Sequence, residues 1–223
     1  MGLYQGGRWL FRDLNLKIKS GCFLALVGPS GVGKSSFLAC LAGLRAPTEG
    51  EIFYHTDTNG SQLPGAFRPH IGIVFQNFLL TENQTVLNNV LCGRLHQFSS
   101  LCTLLGFPRK LKQEAFEILY DLGLQRYCRR WVREISGGEK QRVALARTLF
   151  QDPALFLADE PVAQLDTYLT GRVLGILKHQ VTEKKRTVLC VLHEQEWVNR
   201  FADVALSFNP QSPEKWNLRV INP

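Results

Sequence analysis

Apolar runs of strand length punctuate the chain: Phe23-Leu24-Ala25-Leu26-Val27, Ile71-Gly72-Ile73-Val74-Phe75, Leu155-Phe156-Leu157-Ala158 and Thr187-Val188-Leu189-Cys190-Val191-Leu192. Without polar alternation they predict strands buried on both faces. Helical spacing follows the first run, in Ser36-Phe37-Leu38-Ala39-Cys40-Leu41-Ala42, with Gly43 placed to end it. Leu14-Asn15-Leu16-Lys17-Ile18-Lys19 alternates and predicts a half-exposed strand ended by Ser20-Gly21. Glu51-Ile52-Phe53-Tyr54 begins another strand after the turn Pro47-Thr48-Glu49-Gly50, and the polar stretch 56–65 predicts a loop. Val204-Ala205-Leu206-Ser207-Phe208 and Trp216-Asn217-Leu218-Arg219-Val220-Ile221 predict two closing strands. From 77 to 135 the spacing turns helical, as in Val86–Leu91 and Lys112–Leu122, with breaks at Gly106-Phe107-Pro108 and Gly123. The expectation is one α/β domain over 1–223 with an all-helical lobe, about 77–135, inserted in its sheet.

Length and composition agree with one domain. The 223 residues are 45% hydrophobic and 20% charged, ordinary for a globular protein. A net charge of +7 raises the question of nucleic acid, but the basic residues are scattered, densest at Arg126-Tyr127-Cys128-Arg129-Arg130 and Lys184-Lys185-Arg186. The expectation is solvated helix ends near an anionic membrane rather than a nucleic-acid surface. Cysteines 22, 40, 92, 102, 128 and 190 form no C-x-x-C pair and read as buried free thiols in a reducing cytosol. No apolar stretch approaches the roughly 18 residues of a membrane span. Met1-Gly2-Leu3-Tyr4-Gln5 shows no signal-peptide core, so a membrane location would need another chain.

The candidate chemistry gathers where the runs end. Gly28-Pro29-Ser30-Gly31-Val32-Gly33-Lys34-Ser35 fits G-x-x-x-x-G-K-[ST] between a strand and a helix. Its glycines let successive N–H groups turn toward one anion, and the helix that follows adds its positive end. Lys34 is expected on the β- and γ-phosphates and Ser35 on Mg²⁺, with Ser36 opening the helix behind them. Asp159-Glu160 places two adjacent carboxylates where a core strand emerges, a costly arrangement unless a cation faces them. Gln76 and His193 end two other runs, where ligands bind in open α/β sheets. Ser136 and Glu139 have capping-box spacing, and Gly137 and Gly138 leave N–H groups bare at that helix start, a second anion site. Asp166 is a candidate N-cap for the helix after the loop 162–166. Tyr4 and Trp9 offer π-faces on which a base could stack or an aromatic core could pack.

In their order and identity these elements resemble the nucleotide-binding subunit of ATP-binding cassette (ABC) transporters over nearly the whole chain. The resemblance implies a P-loop NTPase (RecA-like) core sheet, an N-terminal antiparallel β subdomain and an inserted α-helical subdomain. It implies ATP and Mg²⁺ as cofactors and ATP hydrolysis as the activity. Residues 28–36 and Tyr4 would bind the nucleotide; Ser35, Gln76 and Asp159 would serve the metal. Glu160 would be the general base, with Lys34, His193 and Gln76 completing the catalytic set. Ser136, Gly137 and Gly138 would bind the γ-phosphate held by a second copy, and Asp166 would lie at that homodimer's interface.

Two departures stand out. The signature, usually L-S-G-G-Q, reads Ile135-Ser136-Gly137-Gly138-Glu139, and Gln164 stands where serine is usual. Val90-Leu91-Cys92-Gly93-Arg94-Leu95, the insertion through Pro108, Leu122-Gly123-Leu124 and Ala158–Ala163 resemble phosphonate-importer cassettes. That implies permease subunits, a periplasmic solute-binding protein and work at the cytoplasmic face of the inner membrane. An exporter or lipoprotein-release cassette keeps the enzyme and changes the process. A soluble ABC protein acting on ribosomes or DNA would carry two cassettes or long coiled coils.

Overall fold

The computed structural model describes residues 1–56, 60–97 and 106–222. In chain order the elements are β1 (Leu3–Gln5), β2 (Arg8–Phe11), β3 (Phe23–Val27), α1 (Lys34–Leu41), β4 (Tyr54–Thr56), β5 (Gly60–Gln62), α2 (Pro64–Phe67) and β6 (Ile71–Val74). Then follow α3 (Val86–Leu91), α4 (Arg109–Asp121), α5 (Gly137–Gln151), β7 (Leu155–Ala158), α6 (Thr167–Thr182), β8 (Thr187–Val191), α7 (Gln195–Phe201), β9 (Val204–Phe208) and β10 (Trp216–Val220). The chain divides into two compact units, one of 1–73, 154–160 and 174–223, the other of 74–153 and 161–173.

The first unit is built on a six-stranded sheet of order β10-β9-β3-β8-β7-β6. β3 runs parallel to β8 and β9, and β7 runs parallel to β8, with Leu24 and Leu157 both opposite Leu189. β10 closes the edge antiparallel to β9. The apolar runs become the central strands because both faces are covered: every residue of β7 and β8 is buried. Phe11, Phe37 and Phe208 meet in one aromatic cluster, with ring centroids 5.5–5.8 Å apart. Phe37 sits one turn into α1, so this cluster fixes the helix that starts at Lys34; truncating it costs about 3–5 kcal/mol.

The β1–β2 hairpin is antiparallel, as is the β4–β5 pair. The alternating stretch 14–19 is not a strand. Its period is nonetheless realised, because Leu14, Leu16 and Ile18 face the core while Asn15, Lys17 and Lys19 are exposed. Alternation records which side faces the core, and a ladder also requires a neighbouring edge. The run at 51–54 likewise becomes a strand only from Tyr54, and 56–65, expected as a loop, contains β5 and the start of α2. Residues 57–59 of that stretch lie outside the described residues, as do 98–105 of the expected lobe, Cys102 included.

In the second unit α3, α4 and α5 pack around Val90, Leu91, Leu119, Val143 and Phe150, all fully buried. Asn89, buried on α3, accepts from the Thr81 N–H at 2.9 Å and donates to the carbonyls of Thr81 and Thr85 at 3.0 and 3.1 Å. Its carboxamide is satisfied and pins the approach to the helix. Among the described residues the cysteines are free thiols; Cys40, Cys128 and Cys190 are buried, whereas Cys92 is exposed against expectation. Burial pushes Cys22 and Cys40 up to about 11, so both stay protonated. Among the described residues no helix is long and apolar enough to cross a membrane.

Candidate functional site

The sheet order sets the site. β3, β8 and β7 are adjacent and parallel, so the segments leaving their carboxyl ends emerge on one edge. Those segments carry the 28–35 loop, His193 and Asp159-Glu160.

The loop wraps its own lysine. Lys34 is 5% exposed, and its ammonium donates to the carbonyls of Gly28 and Pro29 at 2.8 and 2.9 Å. Burial lowers its pKa, while the Glu160 and Asp159 carboxylates act in the opposite sense. Gly33 has φ 109°, and a Cβ there would come within 3.0 Å of the Leu10 Cβ. The left-handed backbone and the close approach of β2 both demand glycine at that position. Arg8, on the same strand, donates to the Gly31 carbonyl at 3.1 Å. Arg8 carries no signal in the sequence; only the hairpin's placement brings it to the loop.

Asp159 is half-buried and accepts a hydrogen bond from the Ser35 side chain. Desolvation by burial raises its pKa, with the neighbouring Glu160 adding to the rise and Ser35 and Lys34 opposing it. An oxygen pair whose ionised form is under-stabilised suits a small hard cation. Mg²⁺ needs only one or two protein oxygens when phosphates and waters complete its shell. It therefore needs no cage of three His, Cys, Asp or Glu, and among the described residues there is none. Glu160 holds φ 52°, a strained position for a residue with a Cβ. Its Oε1 lies 2.7 Å from His193 Nε2, which donates because an ionised carboxylate can only accept. The structure thus brings together Lys34, Ser35, Asp159, Glu160 and His193. Tyr4 lies on β1, 48% exposed, its ring edge-on to Trp9 at 5.4 Å. An exposed face on this hairpin suits stacking better than a core role.

The remaining candidates belong to the second unit. Gln76 follows β6 and is exposed. Ser136 caps α5: its hydroxyl accepts from the Glu139 N–H at 3.4 Å while Glu139 accepts from the Ser136 N–H at 2.7 Å. Burial pushes the Glu139 carboxyl up, but bonds to Tyr127 and Ser136 outweigh it and hold it below the usual carboxylate range. Gln164 lies against Gly137, its Oε1 2.4 Å from where a Cβ would stand. Its N–H donates to the buried Gln141 side chain at 3.3 Å. The loop 162–166 is therefore braced against the start of α5, and Asp166 accepts from the Leu169 N–H at 2.8 Å, the N-cap bond for α6. Gln141 carries no signal in the sequence, since a lone glutamine on a helix gives no sign of facing a loop.

A family model described as ABC transporter matches residues 11–163. The chain is 36% identical over 211 residues to a phosphonates import ATP-binding protein of Treponema denticola, covering 92% of this chain and 82% of that one. It is 40% identical over 204 residues to a phosphite import ATP-binding protein of Stutzerimonas stutzeri, covering 90% and 74%. Its fold matches a dimeric ATP-binding cassette in a post-hydrolysis state bound to ADP and Pi, with TM-score 0.81, 28% identity and coverage of 97% and 94%.

Proposed function

The chain belongs to the ABC transporter family, whose cassettes hydrolyse ATP, and from that premise we propose how its residues act and what they drive. Residues 1–223 form a single ATPase domain whose helical insertion covers about 77–135. Phosphoryl transfer is mostly positioning and neutralisation of charge. The 28–35 loop cradles the phosphates with its N–H groups, and Ser36 and Tyr4 complete the nucleotide site. Lys34 exchanges its two carbonyl partners for phosphate oxygens, which as anions are the stronger acceptors. Ser35 and Asp159, with Gln76 alongside, would hold Mg²⁺, which would supply charge neutralisation for the phosphates. Glu160 orients the attacking water as general base, and His193, its hydrogen-bond partner, contacts the γ-phosphate.

A second copy closes the site. One chain carries one phosphate loop and one signature turn, and a dimeric cassette is among its structural relatives. In a two-fold dimer Ser136, Gly137 and Gly138 of each chain bind the γ-phosphate on the other. ATP then holds the interface together and hydrolysis releases it.

The dimer works at the cytoplasmic face of the inner membrane on permease subunits, with a periplasmic solute-binding protein delivering cargo. The names of its relatives support phosphonate or phosphite import over export. The observation that carries the reading is the convergence of Lys34, Asp159, Glu160 and His193 at the ends of three adjacent parallel strands. Glu160→Gln should bind ATP normally, slow its turnover about 100-fold or more and accumulate as an ATP-bound dimer. Parental turnover in that variant rejects Glu160 as the base.

A further inference from the structure

The loop that leaves β6 turns through two successive left-handed residues, Phe78 at φ 60° and Leu79 at φ 45°. Neither is a residue that tolerates this readily, so the surroundings must impose it. Local bonds contribute: the Phe78 N–H donates to the Phe75 carbonyl at 3.0 Å and the Leu79 N–H to that of Asn77 at 2.7 Å.

The remaining grip comes from α5. Arg147 Nη2 donates to the Phe78 carbonyl at 2.9 Å and Nη1 to the Leu79 carbonyl at 2.7 Å. A planar guanidinium reaches two consecutive carbonyls from two separate nitrogens in a fixed fork, a geometry the single nitrogen of an ammonium does not reproduce. Burial lowers the Arg147 pKa, and the opposing electrostatic influence comes from the Cys92 thiol rather than from a carboxylate. An apolar side chain in this place would avoid that desolvation. Val143, Ala144, Leu145, Ala146, Thr148, Leu149 and Phe150 around it are all buried, so a cation here is out of pattern. What it holds is the segment directly after Gln76, and the helix it stands on is the one capped by Ser136.

We propose that Arg147 is a positioning residue for hydrolysis: it clamps the loop after Gln76 to the signature helix, so that Gln76, toward the nucleotide of its own chain, and Ser136–Gly138, toward that of the second copy, move as one rigid piece. The proposal rests on the reading above in which Gln76 serves the metal and water.

The test compares Arg147→Met, Arg147→Lys, Gln76→Ala and the Met/Ala double variant in the full chain. Hydrogen exchange without nucleotide reads the clamp directly. Arg147→Met should speed exchange across 77–81 about ten-fold or more, since the local opening loses two bonds. Its kcat for Mg-ATP should fall about 10- to 100-fold, with KM changed less than about two-fold, because placement is lost and phosphate binding is not. Arg147→Lys should recover part of both, which also covers a poorly folding methionine variant. The double variant should be no slower than Gln76→Ala alone, as groups acting in series are non-additive.

Unchanged exchange across 77–81, parental kcat in folded Arg147→Met, or a double variant whose losses multiply would each overturn the proposal. A Gln76→Ala variant with parental turnover overturns the Gln76 role and this inference together. A parent chain that turns over no ATP overturns the ATPase reading instead, and is told apart because the exchange measurement uses no nucleotide.

Discussion

The two proposed anion sites of this chain are both glycine-rich helix starts, yet they are built to opposite electrostatic plans. At the first, Gly33 leads into α1 and a buried lysine stands inside the loop, already bonded to the Gly28 and Pro29 carbonyls. At the second, Ser136 leads into α5 and the capping partner is Glu139, locked in a capping box, while Arg142 donates to the Gly138 carbonyl at 3.3 Å from the next turn. A helix start with a buried cation can hold a triphosphate by itself. A helix start whose capping partner is an anion offers N–H groups and one hydroxyl, enough for part of a phosphate that something else already holds. The contrast teaches that these motifs are unequal: on the proposed reading one is a container and the other a lid.

Removing the lysine should break the comparison most severely. Lys34→Ala should weaken ATP binding about 100-fold or more, some 2.8 kcal/mol, in a fluorescent-nucleotide titration. Unchanged affinity would mean the first site is no container. Next in size, Gly137→Ala should leave ATP affinity at the loop within about two-fold while lowering dimer-dependent turnover about ten-fold or more. The added Cβ meets the end of an exposed glutamine side chain, which can swing aside, so the melting temperature should hold. Loss of nucleotide affinity in that variant would show that the second site acts in cis.

The smallest effect sharpens the container's own design. The Asp159 carboxyl has its folded pKa raised above the unfolded value, chiefly by burial. Below the unfolded pKa both states are protonated and the group contributes nothing. As pH rises through the window between the two pKa values the unfolded state loses its proton first, so stability falls and the deficit persists at neutral pH. Asp159→Asn should therefore raise the nucleotide-free melting temperature by a few degrees at pH 7, and the gain should vanish below about pH 4. A lower melting temperature at pH 7 would show that the carboxylate is already compensated in the folded chain.

Much of this was legible in the order of residues. The buried strands at 23–27, 71–74, 155–158 and 187–191 follow from apolar runs of the right length, because a strand covered on both faces has no use for polar alternation. The N-caps Ser136 and Asp166 were visible because capping is a bond between near neighbours. What escaped were features decided by distant partners. The stretch 14–19 has a strand's alternation without a ladder, and α7 at 195–201 is a two-turn helix held by the burial of Trp197, Val198 and Phe201. Arg8 and Gln141 matter through contacts 23 residues away in each case, with the Gly31 carbonyl and the Gln164 N–H.

By itself the sequence determined the local chemistry: which loop can cradle phosphate, which strands are core, where helices start, which carboxylates stand at a strand end. These depend on side-chain type and on neighbours a few positions apart. Only the tertiary structure decided which ends emerge together, that Glu160 and His193 meet at 2.7 Å, and that Arg147 holds two left-handed residues from a different element. Strand order and the direction of a half-buried guanidinium are set by packing between segments far apart in the chain, and no local pattern encodes them.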